Sequence, residues 1–226
     1  MSKKHAKGSF NTSSAPTGMA LSRLKPTQMT VGMREVEKKR VRFRKMMQTP
    51  GALEKNLQAN PVLVVLGPED SVYVVDRHHM ALALTKEGFE KAPVKVMHDF
   101  SDLTPKQFWK KMLNQKLVYP YDANGVERPL TDLPQKLTDM EDDIYRSLAW
   151  FVRQKGGFNK VETPYAEFKW ARYFQQYITP AEIEKSFDNA CAKALTLAHD
   201  PEAGALPGYT PAPAQKAAPA KTAAFN

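Results

Sequence analysis

The chain has 226 residues, of which 42% are hydrophobic and 10% aromatic, and it carries a formal net charge of +9. This composition is typical of a globular protein that buries a core. The single cysteine, Cys191, excludes an internal disulfide and thiolate-rich metal sites. No apolar run approaches the length of a membrane span, and the basic start "MSKKHAKGSF" is followed by polar residues where a signal peptide needs an apolar segment. We therefore expect a cytoplasmic protein without a membrane partner.

The positive charge is concentrated in the first quarter of the chain. Residues 1–60 hold 13 Lys/Arg and three Asp/Glu, whereas the rest of the chain holds 20 and 21. Such a charge balance favours the binding of polyanions. Candidates for contact with a nucleic-acid backbone are Arg40, Arg42 and Arg44. A solvated basic helix that follows a disordered tail explains the same pattern, and both readings stay open.

Composition and periodicity predict four segments along the chain. Residues 1–20 are rich in Ser, Thr, Lys and Gly, which predicts a disordered basic N-terminus. Residues 21–100 alternate strand and helix patterns, and residues 101–200 are helical with loops. Residues 201–226 are rich in Ala and Pro, which predicts a flexible tail.

The first half is predicted to be an α+β unit with mixed strands. The segment "TVGMREVEKKRVRFRKMMQ" has helical periodicity, with Thr30 as the expected N-cap. The apolar runs "PVLVVLG" and "SVYVVD" predict two buried strands. The segment "RHHMALALTKEGF" predicts a helix that ends at Gly88, and "APVKVMHDF" predicts a third strand.

The second half is predicted to be a helical extension. The segment "LTDMEDDIYRSLAWFVRQKGG" predicts a helix that ends at its two glycines. Three further helices are expected to begin at Thr-Pro pairs, because Thr caps a helix and Pro suits its first position. These pairs are Thr104-Pro105, Thr163-Pro164 and Thr179-Pro180.

The junction "VVDRHHM" between a strand and a helix carries candidate chemistry. The free amides and the dipole of a helix N-terminus favour an anion, and Arg77, His78 and His79 would add donors at the same point. This pattern predicts a phosphate site. Asp76 is most simply a plain helix cap, and a metal contact or a role in orienting a nucleophile are the alternatives. Adjacent histidines diverge by about 100° on a helix, so a shared metal is not expected.

These segments resemble the ParB/sulfiredoxin superfamily, and more closely its branch of ParB-like proteins named for a nuclease. In the first half the resemblance is carried by "LKPTQ", "VGMREVEKKR", "NPVLVVLG" and "VYVVDRHHMALAL". In the second half it is carried by "FWKKM", "VYPYDANG", "LPQKLTDMEDDIYRSLAWFVRQKGGFNK" and "TPYAEFKWARYF". Together these segments extend from Leu21 to Tyr177.

The resemblance implies a ParB/sulfiredoxin-like mixed-sheet domain with a C-terminal helical extension, in which the junction faces the helix that carries Glu35. Relatives use this junction for nucleoside triphosphate phosphates, and some bind DNA. By this resemblance Glu35, with Asp76 and His79, would be catalytic, and Glu35 would accept a proton from a hydroxyl or a water. Phosphate would be bound by Arg77, His78, His79 and Lys39.

The implied ligands are a nucleotide (ATP, ADP or CTP) with Mg²⁺, or a nucleic acid, without a tightly held metal. The enzymatic reading is phosphodiester hydrolysis or nucleotide-dependent phosphotransfer. The competing readings are a non-enzymatic nucleic-acid-binding, partition-like protein and a scaffold that has lost catalysis. Two departures from the family favour the latter, because relatives usually have glycine in place of Arg77 and often arginine in place of Met80. No cysteine lies near the junction, which argues against sulfiredoxin chemistry.

Further candidates lie in the second half. Asp142 and Asp143 precede a helix and are expected to cap it, with Arg146 holding one of these carboxylates. The two glycines before Lys160 predict a helix end more strongly than an anion-binding loop. Glu167, together with Trp170, is a candidate for support of the site, although tryptophans at helical spacing are most simply core. The pair His98-Asp99 is expected to be structural.

Overall fold

Eight α-helices and eight short strands form the part of the chain that the computed structural model describes, residues 18–212. The helices are α1 (Met33–Met47), α2 (Ala52–Ala59), α3 (His78–Lys86), α4 (Pro105–Asn114), α5 (Ile144–Gln154), α6 (Ala166–Gln175), α7 (Pro180–Lys185) and α8 (Phe187–Ala198). The strands are β1 (Met19–Ala20), β2 (Leu24–Pro26), β3 (Thr30–Val31), β4 (Val62–Leu66), β5 (Val72–Asp76), β6 (Lys91–Ala92), β7 (Val94–Asp99) and β8 (Glu141–Asp142). The predicted α+β class is confirmed.

A mixed four-stranded sheet with the order β2-β5-β4-β7 forms the centre of the first half. Strand β5 is parallel to β2 and antiparallel to β4, and β4 is parallel to β7. Because side chains alternate across a strand, the apolar runs of β4 and β5 supply both faces of the sheet. Helices α1, α2 and α3 cover the face that holds Val64 and Val74, and α4 covers the face that holds Val65 and Tyr73.

Helices α5, α6 and α8 enclose a second core in the helical half. Its largest member is Trp170, which is fully buried and stacks on Phe158 with ring centroids 4.3 Å apart. Trp170 is therefore core, as its spacing predicts.

The two halves are joined at the start of α1. Strand β3 pairs in parallel with β8 of the second half, and the Asp142 carboxylate accepts the Met33 N–H at 2.8 Å. Gly32 lies so close to α5 that a Cβ atom there would meet the backbone nitrogen of Ser147 at 2.8 Å. A larger residue at this position would push α1 and α5 apart.

Three local predictions about helix ends were wrong. Helix α1 begins at Met33 rather than after Thr30, because Thr30 belongs to strand β3. Helix α6 begins at Ala166 rather than at the predicted Thr-Pro pair, since Tyr165 adopts a left-handed conformation with φ 60°. The helix predicted from Thr179 is divided into α7 and α8 by the extended Ser186, whose side chain caps α8. Helix α2 was not predicted.

The first residues of the predicted C-terminal tail have regular structure. Residues 201–205 form a 3₁₀ helix with Ala203 buried, and Trp170 donates a hydrogen bond from Nε1 to the Pro207 carbonyl at 2.8 Å. At the other end, Met19 and Ala20, the last two residues of the predicted N-terminal segment, form β1 and pair with β6. Residues 1–17 and 213–226, where the rest of both predictions falls, lie outside the described residues. None of the helices in residues 18–212 has the length and apolar character needed to cross a membrane.

Candidate phosphate-binding site

A cleft with a volume of about 720 Å³ separates the first half of the chain from the helical half. Its first wall comes from α1, α2 and the junction between β5 and α3, and its second wall comes from α4's C-terminal loop, α5 and the start of α6. Seven cationic side chains line it: Lys39, Arg42, Arg77, Lys116, Arg146, Arg153 and Lys160. Four carboxylates line it: Glu35, Asp76, Glu162 and Glu167. The volume is that of a small-molecule site, and the excess charge is positive.

Glu35 lies buried on the floor of this cleft, in the first turn of α1. Its carboxylate contacts Lys39 Nζ at 3.3 Å and Arg146 Nη1 at 3.1 Å. Two cations therefore compensate one buried negative charge, as a buried carboxylate requires. The structure brings Lys39 to Glu35 by their i,i+4 spacing, one of the two roles predicted for this lysine.

Arg146 reaches the site from the opposite half of the chain. It is buried on α5, and its guanidinium carbon lies 5.4 Å from the centre of the Phe168 ring. Asp143 caps α5 by accepting the Arg146 N–H at 2.8 Å, and its other oxygen is held by Arg172. The expectation that Arg146 holds one of the two preceding carboxylates was wrong for its side chain, which pairs with Glu35. No local sequence signal links residues 111 positions apart.

The junction between β5 and α3 contains a left-handed turn at a residue that is not glycine. Arg77 is the N-cap residue of α3, with φ 68° and ψ 30°. Asp76 is exposed, and its carboxylate accepts the Arg77 N–H at 2.6 Å rather than capping α3. The Arg77 guanidinium donates to the Pro61 carbonyl. No side chain caps α3, so the amides of its first residues, His78 and His79, which line the cleft, have no capping partner.

His78 is buried, and its ring accepts a hydrogen bond from a backbone amide. Its Nε2 accepts the Thr27 N–H at 3.2 Å. Burial lowers its pKa from 6.5 to about 3, against an opposing contribution from the backbone of Val74. The ring is neutral, and its Nε2 already accepts a hydrogen bond. It therefore links the end of β2 to α3 and has no positive charge to offer a phosphate oxygen.

His79 has the same type of environment on the adjacent side of α3. Its Nε2 accepts the Gly32 N–H at 3.0 Å and lies 3.4 Å from Glu35 Oε2. Burial is the largest cause that holds its pKa well below 6.5, followed by the charges of Arg146 and Lys39. The ring is therefore neutral, with its proton on Nδ1. In this geometry His79 positions the start of α1, and its Nε2 is not free for the predicted catalytic and phosphate-binding roles.

The three arginines predicted to bind nucleic acid differ in their surroundings. Arg40 and Arg44 both donate to the carboxylate of Glu87, at 2.6 and 2.7 Å, and Arg40 also contacts Glu37. Hydrogen bonds to these carboxylates raise the pKa of both guanidinium groups. Arg42 has no such carboxylate partner among residues 18–212, and it lines the cleft. Of the three predicted arginines, Arg42 alone is among the residues that line the cleft.

The helical wall of the cleft presents two lysines that form no ion pair within residues 18–212, Lys116 and Lys160. Arg153 on the same wall is paired with Glu167 at 3.0 Å. This pair places Glu167 at the cleft, where the sequence predicted it to support the site.

The remaining candidates have structural roles. Asp142 caps α1 and Asp143 caps α5. Gly156 ends α5 with φ 85°, as expected from its position. His98 stacks on Phe100, and Asp99 accepts hydrogen bonds from Ser101.

The part of the chain that the structure describes contains no cluster of three or more His, Cys, Asp or Glu side chains suited to a metal ion. Magnesium in nucleotide sites typically takes one or two carboxylates together with phosphate oxygens. The exposed Asp76 carboxylate, which accepts one backbone amide, fits this requirement.

Comparisons with known proteins identify a family and a similar solved structure. A family model described as "Putative ParB-like nuclease" matches residues 17–176, a range that contains every residue lining the cleft. The crystal structure of protein Atu1540 from Agrobacterium tumefaciens is similar to this chain with a TM-score of 0.79 and 41% sequence identity, and the match covers 86% of this chain and 96% of that chain. No curated protein matches the chain.

Proposed function

This chain belongs to the ParB-like nuclease family, and we propose that it binds the phosphate groups of a nucleotide or polynucleotide in the cleft beside Glu35. We further propose that Glu35 assists hydrolysis of a phosphodiester there.

The observation that carries the proposal is the group of cationic side chains that line the cleft without a carboxylate partner in residues 18–212. They are Arg42, Arg77, Lys116 and Lys160. They come from separate segments and converge on one concave space, together with the uncapped start of α3. Oriented amides and unpaired cations in a partly enclosed site are what phosphate oxygens require.

The pairing of Glu35 suggests how a bound phosphate would affect it. Lys39 and Arg146 now compensate its charge. A phosphate group that enters the cleft offers both cations a second anion, so they can stabilise charge on the phosphate oxygens. Glu35 would then accept the proton of an attacking water.

A magnesium ion fits this scheme through Asp76. An ion bound to the phosphates would neutralise their charge and orient the scissile bond. Within the chain, Asp76 would contact the ion, and Arg77 would bind a phosphate oxygen beside it.

A non-enzymatic binding protein is the second candidate. It is favoured by the two contacts of Glu35, because these contacts hold Lys39 and Arg146 in place whether or not the carboxylate accepts a proton. The two candidates share the binding step and differ in whether the bound ligand is cleaved.

The proposal is tested by binding and hydrolysis measurements on the full chain. The panel contains ATP, ADP, CTP, a single-stranded oligonucleotide and a duplex, each with and without magnesium. Arg77→Gln removes one cleft cation, and Lys95→Gln removes the same charge from the exposed strand β7, outside the cleft. We expect Arg77→Gln to weaken binding of the preferred ligand about tenfold and Lys95→Gln to leave it nearly unchanged.

Glu35→Gln separates the two candidates. For an enzyme, this variant should bind ligand and lose hydrolysis, typically by a factor of about 100 or more for loss of a general base. Wild-type binding without hydrolysis would favour the non-enzymatic candidate. Absence of binding to every ligand, or equal effects of Arg77→Gln and Lys95→Gln, would refute a phosphate site in this cleft.

A further inference from the structure

The helical wall of the cleft has features that the family resemblance did not assign. The resemblance placed phosphate at the junction between β5 and α3, on the first wall. The second wall carries its own cations, Lys116 and Lys160, and both are exposed. Its other cations are engaged, since Arg153 contacts Glu167 and Arg146 contacts Glu35. Glu162 also lines the cleft and forms no ion pair in the described residues. Its negative charge partly offsets the charge of the two lysines.

Lys116 is held in its position by the start of α6. The Tyr165 hydroxyl donates to the Lys116 carbonyl at 2.5 Å. The Tyr165 ring packs on Tyr119, with centroids 4.8 Å apart. The backbone of Lys116 is thus linked to the Tyr165 side chain within the second wall.

Left-handed backbone at non-glycine residues is concentrated around this cleft. Five such residues occur in residues 18–212: Glu69, Asp70, Arg77, Lys116 and Tyr165. The first two form the tight connection between β4 and β5, which requires that conformation. The other three all line the cleft. Each costs about 1 kcal/mol or more, a cost that is retained mainly at functional sites.

Helix α6 adds an anion-attracting end to the same wall. It has ten residues, and no side chain caps its N-terminus. Its first residues Ala166, Glu167 and Phe168 line the cleft. The helix dipole therefore adds to the field of Lys116 and Lys160.

We propose that Lys116 and Lys160 form a second phosphate-binding subsite and that the ligand class is a single-stranded polynucleotide. This inference rests on the proposed phosphate site at the first wall. A polynucleotide carries phosphate on both sides of each sugar, so one strand can engage both walls, whereas the phosphates of a mononucleotide lie on one side. The cleft volume of about 720 Å³ lies within the range of small-molecule sites, so it has room for a few unpaired nucleotides and not for a double helix.

The test compares two probes and two double variants by fluorescence anisotropy. The probes are a labelled single-stranded oligonucleotide of about 12 nucleotides, within the span of known single-strand sites, and a labelled ATP. The site variant is Lys116→Asn with Lys160→Gln, because Asn tolerates the left-handed conformation. The control variant is Lys106→Gln with Lys110→Gln, which removes two exposed charges from α4 outside the cleft. Thermal melting of each variant verifies folding.

We expect the site variant to bind the oligonucleotide about tenfold more weakly and to lower the salt dependence by about 1.4 in the log–log slope, the value for two phosphate contacts on a single strand. ATP affinity should fall less than oligonucleotide affinity, because the phosphates of ATP lie at the first wall, and the control variant should resemble wild type.

An unchanged oligonucleotide affinity in the site variant would overturn the second subsite while the first remained. An equal loss for ATP would place the lysines in the first subsite, and duplex binding that depends equally on them would overturn the single-strand assignment. Wild-type protein that binds neither probe would overturn both this inference and the proposed function.

Discussion

Arg146 Nη1 donates to Glu35 Oε2 at 3.1 Å, and this contact joins two buried residues that are 111 positions apart in the chain. The carboxylate belongs to the first turn of α1 and the guanidinium to the first turn of α5. The contact therefore makes both halves of the chain part of one site. It also supplies the site with a cation from the helical half.

Removing Arg146 should destabilise the fold. Arg146→Gln leaves Glu35 buried with Lys39 as its remaining cation, and breaking a buried ion pair on one side costs about 3–5 kcal/mol. Because Lys39 stays, we expect about 3 kcal/mol in urea unfolding experiments. Arg153→Gln breaks a less buried pair with Glu167 and should cost below about 1 kcal/mol.

The double variant Glu35→Gln/Arg146→Gln provides the check on this explanation. Since it removes both charges, it should be more stable than Arg146→Gln alone. A double variant whose losses simply add would mean that the two residues are not coupled.

Replacing Arg77 by glycine should separate the effect of its backbone conformation on stability from the effect of its charge on phosphate binding. Arg77 holds φ 68°, a conformation that glycine adopts without the penalty of about 1 kcal/mol. Loss of the guanidinium contact to Pro61 opposes this gain, so the melting temperature should change little while phosphate affinity falls. A variant that melts far below wild type would show that the arginine is structural, and unchanged affinity would remove it from the site.

The two histidines of α3 should make stability depend on pH. Their pKa values are lowered in the folded state, that of His78 to about 3 and that of His79 well below 6.5, chiefly by burial. The unfolded chain binds protons at about pH 6.5 and the folded chain does not, so stability is full above this pH and falls as the pH is lowered below it. Between pH 7.5 and 5.5 we expect a loss of about 2–3 kcal/mol for two such groups.

His78→Gln tests the source of that dependence, since it removes one titrating ring and leaves a side chain that can accept the Thr27 amide. The loss over the same pH interval should be about half that of wild type. If both proteins lose the same stability, then another group is responsible.

The arginines of α1 should differ in their effect on ligand binding. Arg42→Gln removes a cleft cation without a carboxylate partner in residues 18–212, whereas Arg44 is paired with Glu87. Both are exposed and lie on one helix, so Arg44→Gln is a matched control. Oligonucleotide affinity should fall several-fold for Arg42→Gln and little for Arg44→Gln. The reverse order would favour the outer face of α1 as the nucleic-acid surface.

Much of the fold follows from local sequence patterns. The apolar runs that became β4 and β5 are recognisable because a buried strand needs apolar side chains on both faces. The helix starts at Thr104 and Thr179 are recognisable because their capping boxes are local. The predicted helix start at Thr30 was wrong because it depends on a distant contact. Thr30 pairs with Glu141 in β8 and therefore belongs to a strand.

The candidate site was only partly accessible from sequence. Glu35 was identified through the resemblance and Asp76 and Arg77 from the strand-to-helix junction, and all three line the cleft. Sequence patterns do not reveal how far His78 and His79 are buried, and burial is what changes them from charged donors into neutral acceptors. The contact of Arg146 with Glu35 depends on the packing of α1 against α5, which no local pattern encodes.

The location of bound phosphate is tested most directly by a crystal structure of the full chain with a single-stranded phosphorothioate oligonucleotide, which resists hydrolysis. We expect a phosphate group within hydrogen-bond distance, about 3 Å, of the first amides of α3 and the Arg77 guanidinium, with the strand lying along the cleft. An oligonucleotide bound on the outer face of α1 at Arg40 and Arg44, with no phosphate in the cleft, would contradict the proposed function.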